Sequence, residues 1–188
     1  MSLLDKIAKA VTPMASPEER AEARRQAEQL TQGDDWLKQI LGHHRQIEAA
    51  FERALDAASA EERRSAAGEL ATILMGHSNA EEAVIYPALV EGSSKAHTTM
   101  AYEEQAAAKI NMAILENLDP LSQEWRDKLE HIQGAVLQHV YQEESSWFPD
   151  VIQNVPLEKQ RLMTQRYAEE FGRYNASGNQ PGQLSQIA

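Results

Sequence analysis

Apolar residues recur every three or four positions along most of this chain, which is the period of an amphipathic α-helix. The clearest apolar stripe comprises Leu37, Ile40, Leu41, Ile47, Phe51 and Leu55. The sequence contains neither a strand-like alternation of apolar and polar residues nor the Asn-Gly and Asp-Gly pairs of tight hairpins. The pattern therefore predicts an all-α protein.

Capping residues and turn formers divide the chain into helices. A short, highly charged helix is predicted from Ser16-Pro17 to about Leu30. Four long helices follow, over about 36–58, 60–90, 95–118 and 122–154, and a last helix begins at Pro156. Short connections between long helices predict an antiparallel up-down-up-down four-helix bundle. The predicted division is a helical appendage over 1–33, the bundle over 34–155, and a C-terminal helix with a flexible tail over 156–188.

The eleven-residue pattern of HSNAEEAVIYP, which starts at His77, returns as HVYQEESSWFP, which starts at His139. Both segments read His, three residues, Glu-Glu, three residues, an aromatic residue and Pro. In each, the His and the first Glu lie four residues apart and so share one helix face, as His77 with Glu81 and His139 with Glu143. These residues interrupt otherwise apolar stripes, and His44 interrupts the stripe of the first long helix. Ionisable groups in a core are costly unless they are paired or bound to metal, so the pattern predicts a metal site.

The residue types restrict which metal this site would bind. The chain has no cysteine, so the ligands must be nitrogen and oxygen atoms. Imidazole combined with carboxylate suits iron, manganese or zinc better than magnesium or calcium, which prefer oxygen ligands alone. The competing interpretation, exposed glutamates beside ordinary core histidines, is disfavoured because both glutamates lie among apolar neighbours on their helices.

Three segments resemble the hemerythrin-like, or HHE cation-binding, family over about residues 34–155: LGHHRQIEAAF, HSNAEEAVIYPAL and HVYQEESSWFPDV. The resemblance implies a four-helix bundle with two non-haem iron ions, bridged by the two motif carboxylates and an oxo or hydroxo group. Zinc and manganese remain alternatives. By this match the ligands are His44, His77, Glu81, His139 and Glu143. His44 is preferred to His43 because the family has His followed by Arg at this point, and because His44 lies on the apolar stripe.

The third long helix departs from the family, because the usual His is absent and Gln105 or a neighbour stands near its place. Counting back from Leu118 in steps of three and four directs Glu104 inward, so Glu104 is the predicted sixth ligand and Glu103 the alternative. The second glutamate of each motif, Glu82 or Glu144, is expected to be solvated, with a contact to a ligand imidazole left open. The aromatic-Pro pairs are expected to be structural.

The resemblance and the carboxylate-rich ligand set imply binding of, or reaction with, O2, peroxide or nitric oxide in a stress or sensing role. The alternative is an oxygen or iron sensor, or an iron carrier, without turnover. An enzyme of this kind would be a di-iron oxidoreductase. The net charge of −11 argues against nucleic acid and anionic membranes as partners. No apolar run approaches the roughly 20 residues of a membrane span, and no signal peptide is evident, so a cytoplasmic protein is expected. The sequence leaves a homodimer open.

Overall fold

The computed structural model describes residues 14–177, and all of the regular structure in this range is helical. The all-α prediction is confirmed. The residues before 14, and the predicted flexible tail from residue 178 onward, lie outside the described range. The α-helices are α1 Pro17–Leu30, α2 Trp36–Asp56, α3 Ala60–Ala80, α4 Tyr86–Gly92, α5 Lys95–Glu116, α6 Gln123–Gln142, α7 Phe148–Asn154 and α8 Leu157–Ser177.

Side-chain caps fix where most of these helices begin. A short polar side chain before the first turn accepts a hydrogen bond from a backbone N–H that has no partner within the helix. The side chains that do so are Ser16, Asp35, Ser59, Ser94 and Ser122. At the start of α3, Glu62 also accepts from the backbone N–H of Ser59, which completes a capping box. The capping residues recognised in the sequence therefore begin the helices that they predicted.

Each copy of the repeated motif contains a widened helical turn. A π-helical turn over Glu81–Ile85 joins α3 to α4, and a second over Glu143–Trp147 joins α6 to α7. Both turns begin at the motif glutamate and end at the aromatic-Pro pair. Proline has no N–H to donate to the preceding turn, and π turns inside α-helices are frequent at functional sites. The missing N–H of each proline accounts for the widened turn before it, and in both cases the helix continues beyond the proline.

The four-helix bundle consists of α2, α3 with α4, α5, and α6 with α7. Helix α2 packs against α3 and α6, and α5 packs against the same two helices, as an up-down-up-down order requires. Helix α8 lies along α3 and α2, and α1 lies across α2 and the second π turn. The bundle with one extra helix on each side was predicted correctly. The limits of the three regions stay a prediction, although α1 and α8 contribute Ala27, Met163 and Tyr167 to the bundle core.

The apolar core is divided into two clusters. One contains Trp36, Leu37, Ile40, Leu41, Ile85, Tyr86, Leu89, Trp147, Phe148 and Val151, and the other contains Ile47, Phe51, Leu70, Leu74, Leu115, Trp125, Leu129, Ile132 and Val136. On α2, His44 lies between Leu41 of the first cluster and Ile47 of the second. A buried layer of His and Glu side chains therefore sits between two apolar regions. Within residues 14–177, no helix is both long enough and apolar enough to cross a membrane.

Candidate metal centre

Four buried side chains converge at the middle of the bundle. His44, His77, Glu81 and Glu143 each offer one ligand atom, and these atoms lie within 4.8 Å of one another. His139 adjoins the group, because its Nε2 atom is 3.2 Å from Oε1 of Glu143. The structure thus brings together five of the six residues predicted as ligands.

The spacing of the motifs produces the contacts within this group. His77 Nε2 is 3.2 Å from Glu81 Oε2, one turn later on the same helix face. Glu143 directs its two carboxylate oxygens to different histidines, since Oε1 faces His139 and Oε2 lies 3.4 Å from Nε2 of His44. A carboxylate held in this way can span two adjacent cations.

Three atoms in the group are buried and have no hydrogen-bond partner among the described residues: Nε2 of His44, Oε1 of Glu81 and Oε2 of Glu143. The 3.4 Å approach between His44 and Glu143 lacks hydrogen-bond geometry. Unpaired buried polar atoms are rare in native proteins, and an unpaired buried carboxylate is costly. Three such atoms on converging side chains, one nitrogen and two oxygens, fit the donor set of a transition-metal ion.

Each histidine of the group is held from behind through its other ring nitrogen. Nδ1 of His44 lies 2.8 Å from Glu144 Oε1, and Nδ1 of His139 lies 2.7 Å from Glu104 Oε2. Nδ1 of His77 lies 3.1 Å from the hydroxyl of Tyr167. Partners at Nδ1 fix the ring orientation and leave Nε2 for a metal, an arrangement that is usual in metal sites.

The predicted sixth ligand, Glu104, is therefore not brought into the central group. Its side chain is 34% exposed and touches His139 from outside. The alternative, Glu103, is exposed. From α5 it is Gln105 that points inward: it is 4% exposed, and its Nε2 donates to Oε2 of Glu81 over 2.7 Å. Its Oε1 atom has no partner within the described range.

The hydroxyl of Tyr86 also lies in the group, where only a structural role was expected for this residue. Tyr86 is fully buried, and its Oη donates to Oε1 of Glu143 over 3.1 Å. The same oxygen is 3.1 Å from Nε2 of His139 and 3.5 Å from Oε2 of Glu81. In the second copy of the motif, Phe148 occupies the matching position and carries no hydroxyl.

Comparison with known proteins agrees with this geometry. The profile of the Hemerythrin HHE cation binding domain matches residues 35–151. The chain belongs to this family. A solved structure of a hemerythrin HHE cation-binding domain-containing protein from Mycobacterium kansasii has a TM-score of 0.66 and 19% sequence identity, covering 76% of this chain and 88% of that chain. This likeness shows that the two proteins share a fold.

A curated protein from Nostoc sp. (strain PCC 7120 / SAG 25.82 / UTEX 2576), named DNA nickase, is 30% identical over 104 residues. The match covers 55% of this chain but 28% of that protein. The present chain thus spans just over a quarter of the length of this relative. This name fits poorly with the expectation that nucleic acid is not a partner. Because the match covers 28% of the relative, the nicking activity is stated here only of that larger protein.

Two of the residues that support the histidines lie outside the part matched by the family. Arg24 on α1 contacts Glu144 through Nε, 3.0 Å from Oε1, and Nη2, 2.9 Å from Oε1, and it also pairs with Glu48 over 2.8 Å. Glu144 is 1% exposed, so the expectation that it is solvated was wrong, and the contact to a ligand imidazole that was left open is present. Tyr167 on α8 is the second such residue. Both flanking helices therefore contribute to the surroundings of the hemerythrin-family site.

His43 lies outside the central group. Its Nδ1 is 2.8 Å from the hydroxyl of Tyr167, and its ring stacks on Phe171 with 3.6 Å between ring centroids. Burial and the neighbouring His44 lower the pKa of His43 to about 4. The structure thus places the two adjacent histidines differently, with His44 in the group and His43 in contact with α8.

Without a metal, the centre retains protons. Burial lowers the pKa of His44, but the two nearby carboxylates, Glu143 and Glu144, outweigh burial and raise it to about 9. Burial is likewise outweighed at His139, where Glu143 and Glu104 raise the pKa to about 10. Burial and the neighbouring Glu143 raise the pKa of Glu81 well above its usual range. A bound cation would have to displace these protons, so metal binding should be coupled to proton release.

Proposed function

We propose that this protein is a hemerythrin-like, non-haem di-iron protein that binds or reacts with O2, peroxide or nitric oxide in a stress or sensing role. The observation that carries the proposal is a set of three buried, unpaired atoms on side chains that converge, namely Nε2 of His44, Oε1 of Glu81 and Oε2 of Glu143. Membership of the HHE cation-binding family supports a metal at this point.

In this proposal the iron ligands are His44, His77, Glu81, His139 and Glu143. The two oxygens of Glu143 face histidines on different helices, which supports two ions rather than one. Glu81 approaches His77 through Oε2 and presents Oε1 without a partner. Both carboxylates would then bridge the two irons, together with an oxo or hydroxo group. Manganese or zinc could satisfy the same donor atoms.

The sequence-based assignment of Glu104 as a sixth ligand stays a prediction. The contact between Glu104 and Nδ1 of His139 supports a different role, in which Glu104 orients that imidazole. Gln105 lies closer to the group and offers an unpaired amide oxygen. We therefore propose that α5 contributes a neutral oxygen donor at the centre and a carboxylate behind it.

Iron at this site would supply electrons and open coordination positions to a small oxygen or nitrogen compound. The protein supplies a dry surrounding, because apolar clusters lie on both sides of the His and Glu layer. Tyr86 supplies a hydrogen-bond donor: burial and the charge of Glu143 raise its pKa well above the usual value, so its phenol stays protonated. Tyr86 is therefore well placed to donate a hydrogen bond within the group.

Anaerobic loading with Fe(II) tests the proposal. Two irons per chain are expected, with a change in the visible absorption spectrum on addition of O2, hydrogen peroxide or nitric oxide. The double variant Glu81→Ala with Glu143→Ala should lose the iron. The matched control is His131→Ala, because His131 is an exposed histidine on α6, two turns before His139.

Unchanged iron content in the double variant, or no bound iron in the native chain, would overturn the proposal. A reversible spectral change with O2 and no consumption of peroxide would favour the alternative, a sensor or carrier without turnover. We do not propose DNA nicking for this chain, because the net charge of −11 of this chain opposes binding to a polyanion. A cytoplasmic location remains our expectation.

A further inference from the structure

A buried tyrosine and an exposed tyrosine touch each other between the candidate centre and the protein surface. Tyr86 is 0% exposed and Tyr102 is 39% exposed. Their ring centroids are 5.1 Å apart and their planes meet at 82°, an edge-to-face contact. Tyr102 lies on α5, whereas Tyr86 begins α4, so the contact joins two helices of the bundle.

Hydrogen bonds fix both ends of this pair. The Tyr86 hydroxyl donates to Oε1 of Glu143 and lies 3.1 Å from Nε2 of His139. The Tyr102 hydroxyl donates to the backbone carbonyl oxygen of Glu82 over 2.9 Å, which holds its ring against Tyr86. The pair therefore forms a continuous aromatic contact from the ligand group to solvent.

In the second copy of the motif, the residue that matches Tyr86 does not touch an exposed tyrosine among the described residues. Phe148, the counterpart of Tyr86, contacts Trp36 with ring centroids 5.5 Å apart, and both side chains are 0% exposed. Packing alone is thus satisfied by a phenyl ring and a buried partner. A hydroxyl on the inner ring and an exposed outer ring are features that packing does not require.

We propose that Tyr86 and Tyr102 form a relay that carries single oxidising equivalents between the metal centre and the protein surface. The proposal rests on the proposed redox function of that centre. Tyrosine is among the side chains that can lose one electron reversibly, and edge contact between two rings allows direct electron exchange. Such a relay would remove stray oxidising equivalents from the buried ligands.

Each step balances in electrons and protons. Tyr86 would give one electron to an oxidised iron ion of the proposed centre, and its phenolic proton would move along the hydrogen bond to Oε1 of Glu143. Tyr102 then gives one electron to the Tyr86 radical, which recovers its proton from Glu143, and Tyr102 releases its own proton to water. A soluble reductant of the thiol or ascorbate class restores Tyr102 by supplying one electron and one proton.

The contact can be tested in the metal-free, full-length chain by oxidation from outside. Photogenerated ruthenium(III) tris-bipyridine is too bulky to enter the core, and persulfate regenerates it. Tyrosyl radicals are trapped with nitrogen dioxide, which the same oxidant generates from nitrite, and nitrated tyrosines are mapped by peptide mass spectrometry. We expect Tyr86 to be nitrated together with Tyr102, although Tyr86 is fully buried.

Two comparisons make this result specific. In Tyr102→Phe, nitration of Tyr86 should fall to the level of Tyr167, an equally buried tyrosine whose ring neighbours are His43 and Phe171. The control is Tyr174→Phe, because Tyr174 on α8 is 40% exposed, about as much as Tyr102. This variant should leave nitration of Tyr86 unchanged.

The relay is overturned if Tyr86 is not nitrated in the native chain, or if its nitration survives in Tyr102→Phe. A circular dichroism spectrum of Tyr102→Phe verifies that the hydroxyl of Tyr102 is not needed for folding. Because no metal is used, failure of the chain to bind or oxidise iron would count against the proposed function and would leave this result interpretable.

Discussion

Replacement of Arg24 by methionine tests whether α1 is part of the metal centre. The guanidinium of Arg24 is 16% exposed at its side chain and bridges Glu48 and Glu144. In the variant, Glu48 can turn to water because its side chain is 31% exposed. Glu144 cannot, because its side chain is 1% exposed, and it keeps only the hydrogen bond to His44.

The expected cost follows from this difference in exposure. Removing one partner of a buried ion pair typically costs about 3–5 kcal/mol, because it strands the other charge. His44 still faces Glu144, so we expect the lower end, about 3 kcal/mol. For a chain of this size that loss corresponds to a fall in Tm on the order of 10 °C. Urea denaturation and a thermal melt of the metal-free protein measure it.

The chain provides its own control one residue later. Arg25 lies on the same helix, is 61% exposed and pairs with Glu22 on the surface. Arg25→Met should therefore change the free energy of unfolding by about 0.5 kcal/mol or less. The double variant Arg24→Met with Glu144→Gln should recover most of the loss, since the glutamine is neutral and still accepts from His44.

The readout at the metal is independent of stability. Partners that orient ligand imidazoles commonly contribute about 10–100-fold to metal affinity, so zinc competition titration should show weaker binding in Arg24→Met than in Arg25→Met. Equal stability of the two single variants would refute the assignment. So would a double variant no more stable than Arg24→Met, because the stranded carboxylate would then not be the cause.

Three further outcomes are expected. Tyr167→Phe removes the partner of Nδ1 in His77 and should weaken zinc binding about tenfold or more in a competition titration, with an unchanged circular dichroism spectrum. In the metal-free chain, the pKa is raised to about 9 for His44 and to about 10 for His139. The stability that these two histidines contribute is therefore complete below about pH 6.5 and is lost as the pH rises through these values. We expect Tm to fall between about pH 7 and about pH 10, and we expect excess zinc to abolish the fall. Gly92→Ala would place a Cβ 3.0 Å from a backbone atom of α7, so urea denaturation should show a loss of about 1–3 kcal/mol, and a loss near zero would mean that α4 and α7 can separate at no cost.

The residues that the sequence identified most securely are those fixed by local geometry. A His and a Glu four residues apart must share a helix face, whatever the rest of the chain does. Two such pairs on apolar stripes could therefore be assigned to the core from their spacing alone. Helices α2, α3 and α6 were predictable for the same reason, because each has a capping residue and an apolar stripe with helical spacing.

The third bundle helix could not be read in this way, because two inward stripes were equally consistent with its period. Steps of three and four from Ala101 reach Ala108 and Leu115 through either Glu104 or Gln105. The structure buries Gln105 and leaves Glu104 partly exposed. The two stripes share their apolar members, so the rotation of α5 is set by packing against α3 and α6, which the local sequence does not encode.

The residues behind the histidines could not be predicted either, for a different reason. Arg24 and Glu144 are 120 positions apart, and Tyr167 is 90 positions from His77. No periodicity links such pairs, because they meet only when α1 and α8 dock on the bundle. The polarity of α1 suggested a helix lying across the surface, and one arginine on it reaches a carboxylate that is otherwise inaccessible to solvent.

The repeat explains why the site has two matched carboxylates, and its imperfections explain why the two sides of the site differ. Glu81 and Glu143 occupy equivalent positions at the start of equivalent π turns. Around them, His44 and His77 touch each other, whereas His139 is accompanied by the phenol of Tyr86, and the amide of Gln105 contacts Glu81. An exact repeat of the motif and its surroundings would have given both sides of the site the same donors. The His139 side therefore has fewer imidazoles and a neutral hydrogen-bond donor, and we expect the chemistry particular to this protein to arise there.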